Sequence, residues 1–335
     1  METLYILGID ISKKTFCAAL TTDGTGMYET EVENNARAIK AYFQGLKEKF
    51  KFSHEQLIVC MEHTGIYCLP VLDYLTKSKI KVGVEPALQI KQSQGMTRGK
   101  NDKIDAKRIA LYAYKNRQEL RYWKPQRTSV QKLKALLVLR DRLVKTKTQM
   151  ETPIYETHEY IDESIRKVII KNCRASINAL AKDIVKVEKE IRSIIESDIQ
   201  LKEQFEQVKS VPGVGMITAL NVIISTGEFQ RISEAKKFAC YAGVVPFDDE
   251  SGTSKKAKPR VSKLANMTLK KLLHLAAMSA IQCCQELKIF YQRKVAEGKN
   301  KMSVINAVRN KLISRIFACV KNKRLYQKDF QHALA

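Results

Sequence analysis

No apolar run in this chain approaches the roughly 20 residues needed to cross a bilayer. No lipidation signal or basic amphipathic anchor stands out, and the opening Met-Glu-Thr-Leu lacks the basic start of a secretory signal. These absences argue against a membrane protein and predict a cytoplasmic one. The eight cysteines, Cys17, Cys60, Cys68, Cys173, Cys240, Cys283, Cys284 and Cys319, form no C-x-x-C pair, so neither a zinc site nor a disulfide framework is expected. Most have apolar neighbours, as buried thiols do. The five histidines are dispersed. Only His63, beside Glu62, draws notice, and a packing or supporting role suits it better than metal ligation. Acid is also scarce, with 35 Asp and Glu against 59 Lys and Arg, a formal charge of +24. An imbalance of that size predicts a polyanionic partner, with nucleic acid as the default.

What is present suffices for two folded domains: 335 residues, 44% of them apolar. Residues 4–9 read as a buried strand and 15–20 as its partner. The turn signal Asp23-Gly24-Thr25-Gly26 leads into a third strand over 28–32. Asn35 opens a helix with Ile39, Tyr42, Phe43 and Leu46 at helical spacing. Strands over 57–61 and 81–85 follow, separated by a helix through Val71, Leu72 and Leu75. Three antiparallel strands followed by strands alternating with helices is the order of a ribonuclease-H-like α/β domain. Residues 92–101 read as a mobile loop, and 102–114 as a helix whose Ala106, Ala110 and Ala113 permit close packing.

Within this pattern the few acids are unevenly placed. Asp10 ends one apolar strand and Glu62 another, and Asp102 and Asp105 lie one turn apart at the start of a helix. Two divalent ions about 4 Å apart can activate the attacking oxygen and stabilise the leaving oxygen of a phosphodiester, and holding them takes three or four carboxylates on rigid supports. Any one of these acids alone is better explained as a cap or a helix-dipole partner, Asp102 in particular. Four together in this order favour metal binding.

A helical region runs from about 129 to 207, interrupted near Thr152-Pro153. Ile177, Leu180, Ile184, Val187, Ile191 and Ile194 alternate spacings of three and four, the seam of a coiled coil. An intramolecular helical hairpin is the rival to the self-associating stalk this spacing favours. From 208 onward the chain is helical and basic, opening on Val211-Pro212-Gly213-Val214-Gly215. This resembles a helix-hairpin-helix, in which Gly213 and Gly215 would let the turn approach a phosphate. Residues 247–256 read as a polar turn containing Ser251 and Ser254, ahead of a run from Lys255 to Lys271 with seven basic residues and no acid. A serine beside such cations is able to attack a phosphodiester, although spacing alone does not rank Ser251 above Ser254 or Ser262. Lys100, Lys103, Lys107 and Arg108, the cations Lys255, Lys256, Lys258, Arg260 and Lys263, and the basic tail suit phosphate contacts. Tyr112, Tyr114, Tyr122 and Trp123 suit either base stacking or core packing.

Gly8-Ile9-Asp10-Ile11-Ser12-Lys13, Met61-Glu62-His63-Thr64-Gly65, Lys100 to Ala106 and Val211 to Gly215 together resemble the DEDD transposases of bacterial insertion sequences, relatives of the Piv DNA invertase that include bridge-RNA-guided recombinases. Tyr241 to Pro246, Ser251 to Ser254 and Arg260 to Asn266 resemble the same family's C-terminal block, so the likeness is collinear from about residue 4 to 280. It departs where the family has Arg-Ile-Ser-Lys-x-Gly-Asn and this chain has Leu264-Ala265-Asn266. The resemblance implies a RuvC-like domain over 1–125 whose Asp10, Glu62, Asp102 and Asp105 hold Mg2+. It further implies a coiled-coil stalk over 126–207 and a helical transposase domain over 208–335 with Ser251 as nucleophile. Donor and target DNA, a structured bridge RNA, and dimers assembling into a tetramer are the partners it implies, in the bacterial cytoplasm and on the nucleoid when bound to DNA. Two other readings compete: a metal-dependent nuclease or Holliday-junction resolvase without a covalent intermediate, and a non-catalytic nucleic-acid-binding protein.

Overall fold

The computed structural model describes residues 4–63, 65–93, 101–156, 160–251, 255–262 and 264–328. The chain divides into two compact units, Met1–Pro125 and Gln126–Ala335.

The first unit is built on a five-stranded sheet. β1 (Tyr5–Ile11), β2 (Thr15–Thr21) and β3 (Tyr28–Glu33) form an antiparallel meander, and β4 (Leu57–Glu62) and β5 (Lys81–Glu85) run parallel to β1, giving the order β3-β2-β1-β4-β5. This is the ribonuclease-H-like order the sequence predicts. α1 (Ala36–Phe50) and α2 (Leu69–Lys77) cover one face, and α4 (Asp102–Lys115) covers the other after the short α3 (Ala87–Gln92). Asn35 caps α1 through Oδ1, which accepts from the Ala38 amide at 2.9 Å.

β1 is almost continuously apolar because it is buried on both sides. Leu7, Ile9 and Ile11 pack with Ile39, Phe43 and Leu75 beneath α1 and α2. Ile6 faces the opposite way, toward Ile109, Tyr112 and Ala113 of α4. Gly8 also lies on the α4 face, where a Cβ would stand 2.2 Å from the Ala110 nitrogen and 2.4 Å from the Ala106 carbonyl oxygen. The helix backbone thus rests directly on the strand, a contact that only glycine in β1 and small residues in α4 allow.

The second unit is mostly helical. α5 (Thr128–Glu156) and α6 (Glu163–Ser197) pack along each other. Leu133 and Leu137 meet Val187, Ile191 and Ile195 in one core, and Arg140 Nε donates to Glu188 Oε1 at 2.7 Å, an antiparallel register. Of the expected seam, Val187 and Ile191 are buried within the chain, while Ile177, Leu180, Ile184 and Ile194 are half-buried. The interruption expected near Thr152-Pro153 falls a few residues later, after α5 ends at Glu156, and Pro153 itself is inside the helix. It lies three residues before the end of α5, where its missing donor removes one hydrogen bond from a terminating turn. A further break, which the sequence did not announce, comes at Asp198, whose carboxylate accepts from the Leu201 amide at 3.1 Å to start α7 (Ile199–Lys209).

α8 (Met216–Thr226) and α9 (Ala235–Tyr241) follow. The expected polar turn at 247–256 is replaced by a two-stranded antiparallel hairpin, β6 (Phe247–Ser251) and β7 (Lys255–Arg260). Its register sets Glu250 opposite Lys256, so an acidic strand pairs with a basic one where no apolar alternation announces a sheet. α10 (Met267–Cys283), α11 (Gln285–Ala296) and α12 (Lys301–Lys321) complete the core with Leu273, Ala277, Leu312 and Ile316. Arg127 fixes the entrance to α5: Nη1 lies 2.8 Å from Asp198 Oδ2, and Nε donates to Glu228 Oε2 at 3.0 Å. All eight cysteines are free thiols, five of them buried. No helix among the described residues is long and apolar enough to cross a membrane.

Candidate active site

Asp10 and Glu62 occupy equivalent places on adjacent parallel strands, one residue beyond the aligned pair Ile9 and Met61. Side chains alternate across a sheet, so Asp10 follows Ile6 and Gly8 onto the α4 face, and Glu62 follows Ile58 and Cys60 onto it. α4 presents Ala106, Ile109, Ala110 and Ala113 to the sheet. Asp102 and Asp105 lie on the continuation of that face, one turn toward the helix start. Asn101, not Asp102, caps the helix: its Oδ1 accepts from the Lys103 amide at 3.1 Å. Asp102 is therefore not needed as a cap.

The four acids act on one another. Burial first, then the negative charges of Asp102, Asp105 and Glu62, push the Asp10 carboxyl from its ordinary 3.8 up to about 6. Cys17, paired with Asp10 across β1 and β2, has its thiol raised by burial, with Glu31, Asp102 and Asp10 adding to the effect. Asp105 is also held by Arg108, whose Nη1 donates to Oδ1 at 2.8 Å. In this arrangement no three His, Cys, Asp or Glu side chains among the described residues close around a single point as a finished metal site. The donor set is nevertheless of the right kind for magnesium, since it consists only of hard carboxylate oxygens whose mutual repulsion a divalent cation would relieve.

A fifth carboxylate escaped the sequence reading. Glu85 ends β5 opposite Glu62, is buried, and has its pKa raised by burial against the opposing charge of Arg121. It carries the same signature as Asp10 and Glu62, an acid closing an apolar strand, and could have been found by it. Tyr112 is buried, with its hydroxyl accepting from Gln89 Nε2 at 2.8 Å, so packing rather than base stacking is its role. The Glu85 carbonyl accepts from the His63 amide at 3.1 Å.

In the second unit, Ser251 is the last residue of β6, in register with Lys255. The side chains of Ser251, Lys255, Lys256, Lys258 and Arg260 lie outside the described residues, as do Ser254, Lys100 and Lys263 entirely. Gly213 and Gly215 lie in the turn between α7 and α8, but Gly213 serves packing. At its φ of 82° a Cβ would meet the Ala276 carbonyl oxygen of α10 at 2.4 Å, so the absence of a side chain lets this turn rest against α10. Gly215 has open space around it and stands at the N-cap of α8.

A carboxylate cluster at the strand ends of such a sheet, in a strongly basic chain, describes a phosphodiester-processing class of protein, and comparison with known proteins makes the class specific. A family model described as transposase matches residues 7–157, and one described as the IS116/IS110/IS902 transposase family matches residues 206–292. The pilin gene-inverting protein of Moraxella lacunata is 26% identical over 336 residues, covering 98% of this chain and 99% of that protein. The transposase for insertion sequence element IS1111A of Coxiella burnetii is 26% identical over 257 residues, 68% of each chain. Among solved structures, Thermus thermophilus RuvC aligns with 36% of this chain at 14% identity and a TM-score of 0.28. The chain belongs to the IS110 family of insertion-sequence transposases, enzymes that cut and rejoin DNA.

Proposed function

We propose that the protein is a magnesium-dependent recombinase that moves an insertion sequence by cutting and rejoining donor and target DNA through a phosphoserine. The observation that carries this reading is the crowding of Asp10 by Glu62, Asp102 and Asp105 on the one face that Gly8 opens to α4. These four residues would hold the divalent ions, which when bound supply charge stabilisation to the phosphate. Ser251 is assigned the attack. Its Oγ forms a bond to phosphorus as the bond from phosphorus to a deoxyribose oxygen breaks. The serine proton passes to a carboxylate or to solvent, and the departing oxygen leaves as a hydroxyl. The phosphodiester is conserved as a phosphoserine, so a DNA hydroxyl can reverse the step without another cofactor.

The full-length relative named for inverting a pilin gene supports recombination between two sites. The +24 charge supports extended nucleic-acid contact, to which Lys103 and the cations from Lys255 to Lys263 would contribute. A structured bridge RNA that selects the sites, and a dimer assembling into a tetramer through the α5–α6 pair, complete the proposal.

The test is trapping of covalent protein–DNA adducts on denaturing gels. Ser251→Ala is expected to abolish adducts and leave DNA binding intact. Adducts that persist would remove Ser251 as nucleophile, and cleavage to free ends by the same variant would point to attack by water.

A further inference from the structure

Exposed apolar side chains in the first unit are concentrated at one edge. Ile66 (72% exposed), Leu69 (54%) and Tyr67 follow the end of β4, Leu88 follows the end of β5, and Ile104 lies on α4 between Asp102 and Asp105. β1, β4 and β5 are parallel, so these places share the sheet edge that carries the acids. Single exposed apolar residues are ordinary. A group gathered beside a reactive cluster marks a binding surface.

The segment is held in place. Asn34 Nδ2 donates to the Tyr67 carbonyl at 3.0 Å and to the Ser12 carbonyl at 3.1 Å, joining the 66–69 segment to the turn between β1 and β2. From beneath, buried Cys68 donates through Sγ to the Glu62 carbonyl at 3.4 Å. The turn so joined carries Lys13 and Lys14, both exposed. A rigid apolar surface beside two cations matches the two surfaces of an unpaired DNA strand, base faces and phosphates. A stacked duplex would offer it only phosphates, and protein interfaces disfavour lysine.

We propose that Ile66, Tyr67 and Leu69 form a platform for unstacked nucleobases flanking the cleaved phosphate, with Lys13 and Lys14 on adjoining phosphates. The platform holds one strand across the carboxylates and supplies part of what separating a base step costs. This inference rests on the recombinase reading, which supplies DNA as the substrate.

The test uses the full chain in calcium and a thymidine 20-mer carrying one 4-thiothymidine, with photo-adducts mapped by peptide mass spectrometry. The peptide containing Ile66–Leu69 is expected to be labelled. Its labelling should fall about tenfold when the strand is annealed to its complement, and about tenfold in Ile66→Ala/Tyr67→Ala, as loss of a base stacked on the tyrosine ring predicts. Adducts on other peptides of the first unit should be unchanged in the variant, which also establishes that this unit is folded. An unlabelled 66–69 peptide amid other adducts overturns the platform, as does equal labelling by duplex or by the double variant. A change in the variant's oligomeric mass without DNA would also overturn it, by making the surface a contact between copies. DNA cleavage by a wild-type protein whose 66–69 peptide stays unlabelled sinks the platform alone. Labelling by a protein that, in magnesium, cleaves neither donor nor target DNA sinks the recombinase reading alone.

Discussion

Replacing Asp10 by asparagine removes a charge that the metal-free fold accommodates at a cost. Burial and three neighbouring carboxylates hold the Asp10 pKa near 6 against an ordinary 3.8. The folded chain therefore keeps this proton more tightly than the unfolded chain does. The resulting stability is fully present below about pH 4 and is lost as pH rises through 6. A difference of that size corresponds to roughly 3 kcal/mol, and solvent screening of a half-buried group reduces it to about 1–2 kcal/mol. An asparagine side chain has nearly the same shape and no charge. In chelator at pH 7.5, Asp10→Asn should stabilise the first unit by about 1–2 kcal/mol, roughly 4–8 °C in its unfolding temperature. At pH 4 the two proteins should melt together.

Magnesium should reverse the ranking. A ligand that binds only the folded state stabilises it by about 2.7 kcal/mol at a hundredfold excess over Kd, and Asp10→Asn lacks a central donor. Thermal unfolding of both proteins, with chelator or Mg2+, at pH 4 and 7.5, measures every term. If Asp10→Asn is destabilised at pH 7.5 without metal, or gains from Mg2+ as much as wild type does, the carboxylates do not repel one another around a shared cation site.

Three further substitutions probe the supports. Gly8→Ala places a methyl 2.2 Å from the Ala110 backbone nitrogen, so α4 must lift from the sheet. A loss of roughly 3 kcal/mol in urea unfolding, with loss of cleavage, is expected, and a wild-type midpoint would deny the helix its seat on β1. Arg108→Gln frees Asp105 from the 2.8 Å ion pair and should tighten Mg2+ binding by about threefold to tenfold in calorimetric titration, the scale of one partly exposed ion pair. Unchanged affinity would exclude Asp105 from the site. Arg127→Met leaves buried Glu228 without its guanidinium and should cost the second unit about 2–3 kcal/mol in urea unfolding, less than a fully buried pair because the arginine is partly exposed. An unchanged midpoint would show that the network adds nothing.

The sheet was legible because its strands announce themselves. Leu4 to Ile9 and Leu57 to Met61 are apolar runs ending in acids, and the strands they predict are β1 and β4 to within two residues at either end. Asn35 and the helical spacing behind it gave α1 in the same way. The role of Gly8 was not legible, because it depends on how closely a helix nearly 100 residues later approaches the strand. The packing of Gly213 against α10 was not legible for the same reason: a positive-φ glycine before a helix looks the same from the sequence whatever lies over it. The β6–β7 hairpin escaped because neither strand shows apolar alternation, and the polar pattern of Asp248, Asp249 and Glu250 reads as a turn. Glu85 was legible by the signature that marks Asp10 and Glu62, since Val82-Gly83-Val84 before it is a short apolar run.

Charge balance explains how a chain with a net +24 keeps these acids together at one edge. The first unit offsets their repulsion with what it has: a proton held on Asp10 by its raised pKa, and Arg108 on Asp105. Both are exchangeable, since the proton leaves above pH 6 and a guanidinium on a flexible stem can turn to another anion. The backbone that gathers the acids is not exchangeable, because Gly8 and the alanines of α4 leave no room for another arrangement. On the proposed reading, a divalent cation would replace these easily displaced counter-charges on a scaffold already shaped, and a phosphate attracted by the net positive charge is the group such a cation would share.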